Sequence, residues 1–144
     1  MLLASLFREV TGSEPPAVLA CPGGKPVFSG GELGFSISHA GRLVAVALDE
    51  GEVGIDLEPY ASMDEARARR FASLLSEGER LLVAAAPDPC RATLEIYVRR
   101  EALVKKSGEG LSALRLTDTA AVAPPRYEAR PHDTEGREYY LCVY

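Results

Sequence analysis

The stretch FSISHAGRLVAVALDEGEVGIDLE, residues 35–58, decides how this chain is built. It opens by alternating apolar and small polar residues, turns at Gly41, and continues as RLVAVALDE, an apolar run of strand length. This spacing predicts a β-hairpin. A third strand, EVGIDLE, begins after the turn signal DEGE. Alternate strand residues face one side, so Asp56 and Glu58 point together. Neighbouring carboxylates repel, and a hard cation relieves that repulsion. Mg²⁺ suits an all-oxygen ligand set, and Mn²⁺ takes the same ligands. The plain alternative is a solvated strand face. His39, at the far end of the stretch, has the same two readings: a phosphate contact or a satisfied structural histidine.

Working outward, LLASLFREV (2–10) has helical spacing and stops at Thr11-Gly12. Residues 13–32 are rich in Pro and Gly, which predicts loops around short extended pieces. Beyond the third strand, Ala66, Arg70 and Leu74 fall at helical spacing. Ser76 followed by Glu79 forms a capping box for a further helix. PDPC (87–90) breaks the chain, and RATLEIYVRREALVKKSGEGL (91–111) predicts a long helix that ends at Ser107-Gly108. The remainder reads as extended, with DTEG (133–136) as a turn and YYLCVY (139–144) as a closing strand. Strands, then helices, then strands make the expected class α+β, an antiparallel sheet packed with helices.

With 144 residues, 47% hydrophobic and 26% charged, the composition fits one globular domain. A net charge of -5 argues against a nucleic-acid partner, which calls for a basic field. No apolar run approaches the roughly 20 residues of a membrane span. Arg8 and Glu9 interrupt the start too early for a secretory signal. Cys21, Cys90 and Cys142 are odd in number and far apart, without C-x-x-C spacing. They suggest reduced thiols, no zinc site and a cytoplasmic address.

The long helix carries a third acid. Glu101 and Lys105 lie four apart on one face, amid the apolar residues Ala102, Leu103 and Val104. They are either an i,i+4 ion pair or a further metal carboxylate beside a lysine for phosphate charge. In order, the chain holds GKP (24–26), FSISHAG, VGIDLE, LSEGER and YVRREALVKKSGEGLS. This series, spanning roughly residues 25–112, resembles the 4′-phosphopantetheinyl transferases, specifically the larger class that activates peptide-synthetase, polyketide and fatty-acid carrier proteins.

That resemblance implies Mg²⁺-dependent transfer of the phosphopantetheine arm of coenzyme A to a serine of an acyl or peptidyl carrier protein, releasing adenosine 3′,5′-bisphosphate. It implies Asp56, Glu58 and Glu101 as metal ligands and Glu101 as general base. It also implies His39 and Lys105 on the phosphates, Ser38 hydrogen-bonding beside them, and Lys25 at the nucleotide end. Arg67, Arg69 and Arg70 would offer charge to an acidic carrier. Residues 1–51 would form a shortened amino-terminal lobe and 52–144 the lobe with the metal motifs. The lobe's shortness leaves monomer and oligomer both open. Where the family pattern has Asn, Ser, Trp and Lys, this chain has Ser36, Ala40, Tyr97 and Arg100; Glu109 replaces a frequent lysine. The competing readings are a non-catalytic module binding coenzyme A or a carrier, and a metal-dependent phosphohydrolase.

Overall fold

A computed structural model describes residues 2–21, 24–31 and 33–144. Pro22, Gly23 and Glu32, three residues of the stretch expected to be loop, lie outside them. In chain order come α1 (Leu2–Thr11), β1 (Val18–Ala20), β2 (Pro26–Phe28), β3 (Gly34–Ala40), β4 (Leu43–Asp49) and β5 (Ile55–Pro59). Then follow α2 (Glu65–Ala72), α3 (Glu77–Ala85), α4 (Pro89–Ser107), β6 (Tyr127–Ala129) and β7 (Tyr139–Val143). Every strand pairing is antiparallel: β1 with β2, β3 with β4, and β7 between β5 and β6. The expected α+β class is what the chain adopts.

Short-range chemistry sets the helix ends. Asp64 caps α2 through the Arg67 amide at 2.7 Å. Ser76 and Glu79 close the expected capping box at α3. α4 starts two residues before the expected boundary, because Pro89 serves as its first residue under the Asp88 cap. Proline is harmless there, since that amide has no helical partner. At the other end Gly108 takes φ 73°, the left-handed stop that glycine allows.

One face of α4 buries Leu94, Val98 and Ala102 against Tyr140 and Cys142 of β7. Its other side meets α2 and α3 where Ile96 packs with Phe71, Leu75 and Val83. A separate core holds α1 on the β3–β4 hairpin, where Phe7, Phe28 and Phe35 stack in sequence with ring centroids 5.0 and 4.5 Å apart. The segment after α4 departs from the extended expectation: residues 111–115 form a 3-10 turn, and only 127–129 join the sheet before the closing strand. This segment instead packs on α3 and α4 around a buried ion pair that joins the two helices, meeting it through Leu114 and Thr119. The Arg100 guanidinium, 1% exposed, meets the Glu79 carboxylate, 0% exposed, and also donates to the Leu114 carbonyl.

No backbone ladder joins β3 to β5 among the described residues. Two serine hydroxyls do that work: Ser36 accepts the Ile55 amide at 3.1 Å and Ser38 the Leu57 amide at 3.2 Å. Just before β5, a Cβ on Gly54 would stand 1.9 Å from the Ala102 carbonyl oxygen and 2.5 Å from the Lys106 nitrogen. Only glycine lets α4 lie this close to the strand. Gly54→Ala will push the helix outward and cost about 1–3 kcal/mol, as overpacking does. Chemical denaturation will register that loss, and unchanged stability would show that the helix yields freely.

Candidate active site

β5 and α4 bring the acids together. Asp56, 5% exposed, and Glu101, 8% exposed, are buried, and Glu58 is half-buried beside them. Lys105 reaches from α4 across to β5, its ammonium 2.6 Å from Asp56 Oδ1 and 3.2 Å from Ser38 Oγ. The i,i+4 pairing with Glu101 is therefore not the one that forms. Ser38 donates to Asp56 Oδ1 at 2.9 Å while accepting from Lys105 and the Leu57 amide. Its single proton and both lone pairs are thus engaged. The hydroxyl orients Asp56 and Lys105 and has no capacity left for a phosphate.

A cleft of about 330 Å³ opens onto this group, lined by Ile37, His39, Asp56, Glu58, Tyr97, Glu101 and Lys105. His39 is exposed at its rim. A second cavity, about 270 Å³, shares Ile37, Glu101 and Lys105 with the cleft and runs on past Phe35, Val104 and Gly110 to Lys25. The Lys25 ammonium bonds two backbone carbonyls, Lys106 at 2.6 Å and Val53 at 3.2 Å. It ties the end of α4 to the approach to β5, and burial lowers its pKa. In this arrangement Lys25 serves the protein's own backbone.

The three acids crowd one another electrostatically. Burial, and then Asp56, push the Glu58 and Glu101 carboxyls above the usual carboxylate range. Arg67 opposes the shift at Glu58, and the Tyr97 hydroxyl beside Glu101 opposes it there. Burial, and then Glu101, push the Tyr97 phenol itself up to about 12. Asp56 Oδ2 is buried without any hydrogen-bond partner. A buried carboxylate oxygen left unsatisfied is costly, so such an atom calls for an explanation. Asp56, Glu58 and Glu101 supply only oxygen donors, which suit Mg²⁺ or Mn²⁺. As placed, no three His, Cys, Asp or Glu groups among the described residues are close enough to hold an ion together. The donor chemistry of the three carboxylates fits a hard cation.

A model of the 4′-phosphopantetheinyl transferase superfamily matches residues 52–143, well over half of the chain. The chain belongs to the 4′-phosphopantetheinyl transferase superfamily. Among the superfamily's proteins, the 4′-phosphopantetheinyl transferase AcpT of Salmonella typhimurium (strain LT2) is 42% identical over 89 residues, covering 59% of this chain and 46% of its own. A 4′-phosphopantetheinyl transferase of Bacillus subtilis is 31% identical over 159 residues, covering 99% and 70%. An uncharacterized Escherichia coli (strain K12) protein, YieE, is 36% identical over 121 residues, covering 77% and 47%. The chain thus spans about half the length of AcpT and of YieE.

The superfamily motifs in the sequence led to Asp56, Glu58, Glu101, Lys105 and His39, and all five line one cleft. The structural tasks of Ser36 and Ser38 had no sequence signal, because they depend on two strands meeting side by side. Tyr97 did have one: it precedes Glu101 by four residues on a helix, the spacing at which side chains touch. Arg67 was read as a docking charge, yet it turns inward. Its guanidinium donates to the Ser62 carbonyl and hydroxyl at 3.1 and 3.0 Å and lies 4.8 Å from the centre of the Tyr97 ring. Arg69 is exposed and paired with Glu65. No described helix is long and apolar enough to cross a membrane.

Proposed function

We propose that this protein moves the 4′-phosphopantetheine arm of coenzyme A onto a serine of an acyl or peptidyl carrier protein. The observation that carries this reading is the partnerless Asp56 Oδ2 in a group of three acids, two buried and one half-buried, in a chain of this superfamily. In the reaction, the serine oxygen bonds to the phosphorus that bears the pantetheine. The bridging phosphorus–oxygen bond breaks, and adenosine 3′,5′-bisphosphate leaves with its electron pair. Asp56, Glu58 and Glu101 would hold a divalent cation, which would supply neutralising charge to the diphosphate.

The chain's own residues do the rest. Glu101 takes the serine proton, and burial and then Asp56 raise its carboxyl above the usual carboxylate range. Lys105 sets a fixed positive charge beside the diphosphate, held in place by Ser38 and Asp56. His39, exposed at the rim of the cleft, meets a phosphate of coenzyme A. A positioned environment of this kind suits phosphoryl chemistry, where orientation and charge account for most of the rate.

A second reading, a non-catalytic module that binds coenzyme A, draws on one observation: among the described residues the acids are not gathered into an ion site as placed. Calorimetric titration with coenzyme A, in Mg²⁺ and again in EDTA, separates the two. Transferase chemistry requires binding that EDTA weakens. Binding indifferent to EDTA favours the module, and no binding in either buffer sinks both.

A further inference from the structure

From the geometry around the two outer acids, and resting on the transferase reading above, we infer that Arg67 is a positioning residue for Glu58 and Glu101. Its guanidinium fixes Ser62 through two hydrogen bonds, and the Ser62 hydroxyl donates to Glu58 Oε2 at 3.4 Å. The same guanidinium lies 4.8 Å from the centre of the Tyr97 ring, and Tyr97 lines the cleft one helical turn before Glu101 on α4. One side chain of α2 therefore braces one acid on β5 and another on α4.

The brace needs arginine. A planar guanidinium can stack on a ring and direct its N–H groups sideways at once, whereas an ammonium on a flexible stem cannot do both. The arrangement also begins from a fixed base, because the Asp64 cap holds the Arg67 amide at 2.7 Å. Arg69 and Arg70, on the exposed side of the same helix, take no part. The helix thus divides its arginines: Arg67 serves the site, and its two neighbours face outward.

Groups that orient metal ligands from behind typically carry 10–100-fold in metal affinity. The test is Mn²⁺ binding to the full chain, followed by loss of the free-ion electron paramagnetic resonance signal, with no substrate present. Arg67→Ala is expected to weaken Mn²⁺ binding by roughly 10–100-fold, and Arg67→Lys to recover only part of the loss. Ser62→Ala should weaken it in the same direction by a smaller factor. Arg69→Ala, which removes an exposed ion pair, should match wild type.

Arg67→Ala binding Mn²⁺ as wild type does overturns the inference while leaving the transferase reading intact. Wild type that binds no Mn²⁺ overturns both. If Arg67→Ala loses its fold by circular dichroism, Ser62→Ala decides: undiminished Mn²⁺ binding there overturns the brace.

Discussion

Glu101→Gln is expected to lower the transfer rate by about 10²–10⁴-fold, the range that a positioned proton acceptor contributes. The substitution keeps the shape of the side chain and removes both its ability to take a proton and the negative charge it would offer a cation. The fold should survive, and for a specific reason. Glu101 lies within a repelling trio, where burial, then Asp56 and, more weakly, Glu58 raise its pKa. Neutralising one member relieves strain among the others, so the melting temperature should hold or rise. Single-turnover kinetics on a carrier protein, run beside a thermal melt, check both halves. Undiminished turnover in the Gln protein would remove Glu101 from the proton path.

Glu79 gives the largest expected effect on stability. Burial alone would raise its pKa, but the Arg100 guanidinium, the Ser76 amide and Thr119 together bring it from 4.5 down to about 2. Thr119 contributes both its amide, at 2.9 Å, and its hydroxyl, at 2.7 Å. A carboxylate with a depressed folded pKa binds fewer protons in the folded state than in the unfolded state. Its contribution is fully present above pH 4.5 and is lost as the pH falls from 4.5 toward about 2. The amount is on the order of 3 kcal/mol. Glu79→Gln leaves Arg100 buried without its counter-charge and should cost about 3–5 kcal/mol. It should also flatten the acid limb of the stability curve. Urea midpoints measured from pH 5 downward, in wild type and variant, test both expectations. Parallel acid limbs would assign that limb to another group.

What the sequence disclosed and what it withheld divide along physical lines. The capping box at Ser76, the glycine stop after Ser107 and the hairpin around Gly41 are contacts between near neighbours, and each formed as expected. The start of α4 moved because PDPC holds two signals at once: a proline that breaks one helix and an Asp-Pro pair that begins the next. Contacts across the chain left no local trace. Arg100 reads as a surface-type residue in a helix, yet its partner lies 21 residues away in sequence and both are buried. Lys105 had a suitable acid one helical turn back and found a nearer one across the strand. The five residues of the cleft were legible because the motif series names residues of distant elements together, which periodicity cannot do.

The serine seam between β3 and β5 has a mechanical consequence. In a continuous sheet the joint between strands is backbone, fixed whatever the site contains. Here one of the two rivets, Ser38 Oγ, also touches Asp56 and Lys105. Anything that draws Asp56 or Lys105 toward a bound group pulls on the same oxygen that fastens the hairpin to the three-stranded sheet. The joint between the hairpin and the three-stranded sheet therefore shares an atom with the acid and the lysine of the cleft.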